Sequence, residues 1–247
     1  MSSRGAKRFA DPGPAGRAGL PAGRWGQAGP FLLLAGAAAW LAVHYGEIPE
    51  PMITHWNLAF EPDGWSPKSP RVVFGLPLFG ATLCAIFVLV SLGLLYRTQP
   101  IDGGEEARRA EWRRRLASLQ VLLMANYLIA ILVAVVCLFP LAQSPARIKS
   151  LLAVVALVGV VGPLALLLWI GLRVAPLYFG KAAGAGEAAD GEHWKLGLAY
   201  YNPDDPSIFV EKHLGIGYTL NFARREVWLL LALLLAAPVL LLAWMLG

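Results

Sequence analysis

The chain has 247 residues, of which 57% are hydrophobic and only 15% are charged, and its formal net charge is +5. Soluble domains carry about 25% charged residues, so this composition excludes an ordinary soluble domain and indicates an integral membrane protein. A nucleic-acid-binding protein is excluded as well, because the basic residues flank apolar runs and do not form one stripe.

The apolar residues cluster into five runs, each a candidate transmembrane helix, since a span takes about 20 apolar residues. They lie at 30–45, 72–96, 117–142, 151–172 and 227–246. The first run is short, and a cleaved signal peptide is the alternative interpretation. The long tail before it favours an uncleaved helix. The predicted fold class is therefore an all-α integral membrane protein with about five spans.

Lysine and arginine are distributed unevenly among the connecting segments. Seventeen of them lie in the tail, the second loop and the segment 173–226, whereas four lie in the first and third loops. The positive-inside rule then predicts a cytoplasmic N-terminus and an outer C-terminus. The predicted units are a disordered basic tail (1–29), helices 1 and 2 with the outer loop 46–71 (30–96), a cytoplasmic basic helix (97–116), helices 3 and 4 (117–172), a cytoplasmic linker and hairpin (173–226) and helix 5 (227–247).

The outer loop concentrates aromatic, acidic and amide side chains. Met52 to Trp56 suits a short strand, and Pro62-Asp63-Gly64 predicts a turn, because proline presets φ and glycine tolerates positive φ. The candidate ligand- or partner-binding residues are His55, Trp56, Asn57, Glu61, Asp63 and Trp65. A structural loop anchored by its tryptophans is the competing interpretation. His55, Glu61 and Asp63 are also an acid/base or metal candidate, but their spacing fits no metal template, so no catalytic residue, metal or cofactor is predicted.

The predicted cytoplasmic regions contain two further features. Glu105 and Arg109 lie four residues apart, as do Glu111 and Arg115, which favours a solvated helix. Ser207–Val210 and Tyr218–Phe222 suit two strands of a small hairpin. The candidate cytoplasmic partner-binding residues around this hairpin are Tyr201, Asn202, Asp204, Asp205, Tyr218 and Asn221.

Within the spans, Asn126 is a notable polar side chain, and an interhelical hydrogen bond is the expected role. No acidic residue lies inside any predicted span. This absence argues against a proton- or cation-coupled pump that works through this chain alone.

Two stretches resemble known sequences. ITHWNLAFEPDGWSPKS resembles the outer-loop signature of the bacterial sporulation-delaying-toxin immunity family and its uncharacterised membrane relatives, which pairs a His-aromatic-Asn triplet with Asp-Gly-aromatic and a lysine. The matching positions are Thr54, His55, Trp56, Asn57, Asp63, Gly64, Trp65 and Lys68. Phe60 and Ile53 depart from the signature, which usually has glycine and proline there. YYNPDDPSIFVEKHLGIGYTLNF looks like a short uncharacterised domain found in such proteins. The resemblance implies protection against an extracellular peptide toxin and signalling through a membrane-held repressor, without assigning either role to a residue.

Three functions from different classes follow as hypotheses. The leading one is a non-enzymatic, multi-pass protein of the bacterial inner membrane that resembles immunity or sensing proteins. Its outer loop would bind a peptide, a lipid headgroup or a membrane protein, and its hairpin would contact a cytoplasmic protein. The second is an accessory or scaffold subunit of a membrane transport complex. The third is a metal-dependent membrane hydrolase. The bilayer is the one partner common to all three, and nucleic acid is a partner of none.

Overall fold

The computed structural model describes residues 21–57, 62–96, 104–142, 145–179, 193–195, 199–212 and 217–246. The helices are α1 (Gly23–Val43), α2 (Pro70–Tyr96), α3 (Glu105–Val136), α4 (Pro145–Ala156), α5 (Gly162–Trp169), α6 (Ala175–Phe179) and α7 (Arg225–Leu246). The strands are β1 (Met52–Trp56), β2 (Pro62–Ser66), β3 (Trp194–Lys195), β4 (Ala199–Tyr200), β5 (Phe209–Glu211) and β6 (Tyr218–Leu220).

Four of the described helical segments are long and apolar enough to cross a membrane. They cover Trp25–Val43, Pro70–Tyr96, Glu105–Leu141 and Arg147–Leu177. The last of these joins α4, α5 and α6 through two π-helical segments, and we call it the α4–α6 run. The chain is therefore a mostly helical membrane protein, while a fifth span at α7 and the direction of insertion stay predictions.

Two helix boundaries differ from the sequence-based ones. α1 begins at Gly23, so residues 23–29 are helical, whereas the sequence had placed them in the disordered tail. Gln27 in this first part is buried, which shows that tertiary packing extends the helix beyond its strongly apolar stretch. The predicted cytoplasmic basic helix, where described, is the N-terminal part of α3, which continues into the apolar span without a break.

Three apolar clusters lie along the bundle: two of them join α1, α2 and α3, and the third joins α2 and α3 to β5. One cluster includes Leu41, Met52 and Val73, the next Leu34, Cys84 and Ala130, and the third Leu94, Leu119 and Phe209. The first cluster lies at the end that carries β1 and β2, and the third at the end that carries β5 and β6. We call these the β1–β2 end and the β5–β6 end.

A close approach in the middle of the bundle depends on one glycine. A Cβ added at Gly80 of α2 would lie 2.8 Å from a Val133 methyl on α3 and 3.2 Å from Leu34 on α1. Nearby, the Asn126 amide of α3 donates to the Cys84 carbonyl of α2 at 3.5 Å, which confirms the predicted interhelical hydrogen bond. The side chain is 1% exposed, as expected for a polar group that bonds between helices.

The strands form three antiparallel pairs within the described residues, β1–β2, β3–β4 and β5–β6. The predicted strand at Met52–Trp56 is confirmed, and so is the pairing of the two predicted strands that became β5 and β6. The pair β3–β4 has no counterpart among the predicted strands. A parallel bridge between Tyr200 and Asn221 connects it to the end of β6, so the β5–β6 end holds a small unit of two strand pairs.

Candidate functional site

The β1–β2 hairpin has a different register from the one its turn residues predict. Gly64 lies in β2 opposite His55, and Pro62 lies opposite Trp56. Pro62-Asp63-Gly64 is therefore part of a strand, and the predicted turn at these residues is wrong. The glycine is required by proximity, because a Cβ at Gly64 would lie 2.8 Å from the His55 Cβ. Register irregularities on both sides of His55 mark a bulge that redirects side chains.

The hairpin brings two of the predicted site residues into contact. The Nδ1 of His55 and the Oδ1 of Asp63 are 2.5 Å apart, with the carboxylate accepting the hydrogen bond. The two side chains are 71% and 42% exposed, so water competes for this pair and its net stabilisation is small. Among the described residues, no three His, Cys, Asp or Glu side chains come together as a metal site would need.

The remaining predicted residues of the loop have different surroundings. Trp65 is paired with Ile53 across the hairpin and is 53% exposed. Asn57 is half-buried, whereas Trp56 is placed by its backbone pairing alone. Glu61 lies outside the described residues. The hairpin thus displays an imidazole–carboxylate pair and a large indole on its surface.

Other residues hold this hairpin on the helices. Ile48 and Met52 are 2% and 4% exposed and belong to the apolar cluster at this end. The Lys68 ammonium donates to the Ile48 carbonyl at 2.9 Å and lies 5.4 Å from the centre of the Tyr45 ring. The Lys68 backbone N–H donates to the Glu50 carboxylate at 3.0 Å. The lysine of the resemblance signature therefore ties the two sides of the loop together, a role that sequence spacing did not reveal.

The predicted site at the β5–β6 end centres on one buried amide. Asn221 is fully buried, and its Nδ2 donates to the carbonyls of Asn202 at 2.8 Å and Asp205 at 3.0 Å. Its Oδ1 accepts from the backbone N–H groups of Asn202 at 3.0 Å and Ala223 at 3.2 Å. All four hydrogen-bonding positions of this amide are therefore used inside the chain.

The Asn-Pro-Asp-Asp segment closes around that amide. The Tyr200 hydroxyl donates to the Asp205 carboxylate at 3.2 Å and accepts from the Asn202 amide at 3.1 Å. Asn202 also accepts from the Asp204 backbone N–H at 2.9 Å, in the manner of an Asx turn. Tyr201, 49% exposed, and Asp204, also exposed, are the members of the predicted set on the surface. The other members shape the unit that presents them.

A buried ionic cluster attaches this unit to α3. The Tyr218 hydroxyl donates to the Glu111 carboxylate at 2.8 Å, and Arg114 lies 2.8 Å from Glu111 and 2.9 Å from Glu211. Arg115 Nη2 is 3.6 Å from Glu111. The predicted pairing of Glu111 with Arg115 is present, but the prediction of a solvated helix is wrong there, since Glu111, Arg114 and Arg115 are all buried. Tyr218 of β6 contacts Glu111, and Glu211 of β5 contacts Arg114.

The cluster lies on the charged N-terminal part of α3. Glu111 belongs to the segment Glu105–Leu141 but precedes its apolar stretch. Carboxylates from Glu111 and Glu211 meet the guanidinium groups of Arg114 and Arg115, so groups of opposite charge face each other in this joint.

Comparison with known proteins matches two parts of the chain. Residues 32–81 match the family described as "Domain of unknown function (DUF1648)", and residues 203–228 match the "Family of unknown function (DUF5808)". Neither match covers half of the chain, and neither description names an activity. No curated protein and no solved structure matches. The matches are consistent with an uncharacterised membrane family. The first contains the β1–β2 hairpin, and the second contains Asp204, Asp205, Tyr218 and Asn221 but not Tyr201 or Asn202.

Proposed function

We propose that this chain is a non-enzymatic, multi-pass protein of the bacterial inner membrane that binds an extracellular peptide through the β1–β2 hairpin. The observation that carries the proposal is the separation of two sets of side chains. Ile48 and Met52 hold the hairpin and are buried, whereas His55, Asp63 and Trp65 are exposed. A surface that is ordered before binding loses little conformational entropy on association.

The chemistry of this surface suits a peptide. An exposed indole offers a large apolar area together with an N–H donor, and such rings are enriched where proteins bind each other. His55 and Asp63 add a donor and a carboxylate beside it. The resemblance of this loop to the toxin-immunity family supports a peptide toxin as the ligand, and the match to residues 32–81 contains the hairpin and the helix ends that hold it.

The β5–β6 end supports a second contact, with a cytoplasmic protein. Tyr201 and Asp204 are exposed on a unit that Asn221 and the ionic cluster keep rigid. In this proposal the two exposed side chains contact the partner, while Asn202, Asp205, Tyr218 and Asn221 set its binding surface. A change at the outer hairpin would then be reported to this partner through the helices that join both ends.

A toxin challenge tests the outer site. Cells sensitive to the sporulation-delaying peptide toxin are made to express the chain, and the toxin concentration that halves growth is measured. We expect the wild-type chain to raise that concentration and Trp65→Ala and His55→Ala to return it to the value of cells without the chain. Tyr96→Ala is the matched control, because it removes an aromatic side chain that is 66% exposed at the opposite end.

The amount of each variant in the membrane fraction is measured in the same cells. Wild-type chain that reaches the membrane without changing sensitivity would count against the immunity function. Equal protection by all three variants would show that the toxin does not bind at the hairpin.

Direct labelling tests the orientation on which the proposal depends. The chain's two cysteines, Cys84 and Cys137, are both buried, so an added surface thiol can be labelled without removing them. We expect an impermeant maleimide to label Trp65→Cys in intact cells and Asp204→Cys only after the membrane is opened. The reverse pattern would place the hairpin in the cytoplasm and contradict binding of an extracellular ligand.

A scaffold or accessory role is the second candidate, and the α4–α6 run favours it. In the most apolar 18-residue stretch of Arg147–Leu177, no residue is buried within the chain. In the corresponding stretch of Pro70–Tyr96, 28% of the residues are buried. An apolar helix with so few contacts in its own chain has a surface available to another subunit. Purification in mild detergent followed by mass measurement decides this: a stable complex supports the subunit role, and a monomer contradicts it.

A further inference from the structure

Two prolines interrupt the regular helix of the α4–α6 run. The first π-helical segment, Leu157–Val161, ends two residues before Pro163. The second, Ile170–Val174, ends two residues before Pro176. Proline has no N–H to donate, and its ring collides with the carbonyl four residues earlier, which in both cases belongs to the π-helical segment. Each wide turn therefore has a cause in the sequence, and each is a place where the run can bend.

The two sides of the first wide turn differ in how firmly they are held. On α4, before this turn, no described side chain is buried. After it, the run lies close against α3, since a Cβ added at Gly162 would lie 2.4 Å from a Leu128 methyl. Farther along, Val174 is 1% exposed and packs with Ala117 of α3. The run is thus anchored on α3 beyond the first wide turn and loosely held before it.

An open groove lies beside α4 and gives it room to move. The groove has a volume of about 690 Å³ and lies between the end of α1, the turn after α3 and the start of α4. Trp40 of α1 and Leu138 after α3 line it on one side, and Leu151 of α4 lines it on the other. Apolar walls on neighbouring helices gain van der Waals contact when they approach each other. The groove is therefore a space that a tilt of α4 would close.

We infer that α4 is a lid with its hinge at Leu157–Val161, and that it tilts toward α1 and closes the groove while α5 and α6 stay on α3. Lys149 lies about 15 Å along the helix from the middle of the hinge, so a bend of about 20° moves it by about 5 Å. Arg147 and Ser150, near the start of α4, have interactions within the chain. The movement is therefore the tilt of a helix that stays attached.

One residue connects this lid to the hairpin. Leu141 lines the groove and also packs against the apolar cluster that contains Met52 of β1. A shift at the base of the hairpin would thus reach the wall that faces α4. The lid itself does not depend on peptide binding, because its hinge and its groove are features of the fold.

A distance between two spin labels tests the lid. The full chain with Val43→Cys at the end of α1 and Lys149→Cys on α4 is labelled and placed in lipid nanodiscs. Both positions are exposed, whereas Cys84 and Cys137 are buried. We expect pulsed electron paramagnetic resonance to show two populations whose distances differ by about 5 Å. A single narrow distance in this chain, which keeps both prolines, would overturn the inference.

Two proline variants locate the hinge. Pro163→Ala restores an N–H donor and removes the ring that forces the first wide turn, so one of the two populations should disappear. Pro176→Ala makes the same change at the second wide turn, beyond the anchored α5, and is the matched control that should keep both populations. Persistence of both populations in Pro163→Ala, or the same loss in the two variants, would show that α4 does not turn about the first hinge and would overturn the inference.

Discussion

The two ends of the helix bundle each carry a strand pair rich in aromatic, acidic and amide side chains, but they use those side chains in opposite ways. At the β1–β2 end, apolar residues and Lys68 hold the hairpin, and His55 and Asp63 remain on the surface. At the β5–β6 end, buried polar side chains share the work of attachment with Phe209: the cluster around Arg114 joins the strands to α3, and Asn221 holds the loop beside them together. Similar local sequence composition thus accompanies a displayed surface in one case and an internal joint in the other.

This difference has an energetic meaning. An exposed pair such as His55 and Asp63 contributes little to stability, since water solvates both partners when they separate. A buried group that loses its partner cannot recover those interactions, so its loss costs more. Substitution of polar residues should therefore be costly at the β5–β6 end and nearly neutral at the β1–β2 end.

The largest effect is expected from Arg114→Ala. It leaves the buried carboxylate of Glu111 and the partly buried carboxylate of Glu211 without their shared cation, and breaking a buried pair costs about 3–5 kcal/mol. Hydrogen–deuterium exchange at Tyr218–Leu220 measures the free energy of opening of the strand pair. Arg109→Ala is the matched control on the same helix, where the pair with Glu105 is exposed, and it should cost less than about 1 kcal/mol. Equal effects of the two variants would show that the cluster does not attach the strands.

Asn221→Ala is expected to have the next largest effect. It removes the acceptor of two backbone N–H groups and the donor to two carbonyls in a fully buried position. Because a buried group left without a partner costs about 1–3 kcal/mol, the free energy of opening should fall by about 2–4 kcal/mol. Exchange over residues 199–212 measures the loss. Asp204→Ala, an exposed change in the same loop, is the control, and a similar loss there would contradict a special role for Asn221.

A smaller effect is expected from Gly93→Ala. The new Cβ would lie 2.6 Å from the Phe209 ring, which belongs to the apolar cluster at this end. Overpacking of this kind costs about 1–3 kcal/mol, measured again by the opening of β5 and β6. Gly36→Ala on α1 meets no atom within 4 Å and should be neutral or stabilising by up to about 1 kcal/mol. The double variant with Phe209→Leu should recover part of the loss, and no recovery would show that the ring is not the obstacle.

The smallest effect is expected from Trp65→Ala. Its indole is 53% exposed, so the free energy of opening of β1 and β2 should change by less than about 0.5 kcal/mol. Met52→Ala at the base of the same hairpin should cost about 2–5 kcal/mol, because that side chain is 4% exposed. Comparable losses for the two variants would mean that the indole holds the hairpin and is not merely displayed by it.

Much of the helical architecture could be predicted from the sequence because long apolar runs have few alternatives in a membrane. The strand Met52–Trp56 was also predicted within its observed bounds. The turn predicted at Pro62-Asp63-Gly64 is wrong, because turn propensity is a local preference and the strand pairing of Gly64 with His55 overrides it. The sequence alone does not show whether a glycine is needed for a positive φ or for a close approach of a neighbouring residue.

The attachment of the strands to α3 at the β5–β6 end could not be predicted from local sequence patterns, because it joins residues that are far apart in the chain. Tyr218 and Glu111 are separated by 107 positions, and Glu211 reaches Arg114 across a similar separation. The four-residue spacing correctly predicts the pair Glu111–Arg115. The same spacing also predicts that this face of α3 is exposed to water, because local spacing carries no information about strands from a distant part of the chain. Four of the six residues predicted as a partner site, Asn202, Asp204, Asp205 and Asn221, bond to one another within the chain, and their contact with a partner stays a prediction.

The unbroken course of α3 has a mechanical consequence. Its 32 residues form a rod about 48 Å long, whereas the hydrocarbon layer is about 30 Å thick, so about 18 Å of it projects beyond that layer. On the projecting part, Glu111 and Arg114 bond to Tyr218 and Glu211 of the strands. At the other end, Cys137, which follows the helix, packs in the apolar cluster that contains Met52. Because the helix is continuous, a tilt of about 10° around its midpoint moves Glu111, about 14 Å away, by about 2.5 Å. Displacement of one end of α3 therefore moves its other end without any step of unfolding between them.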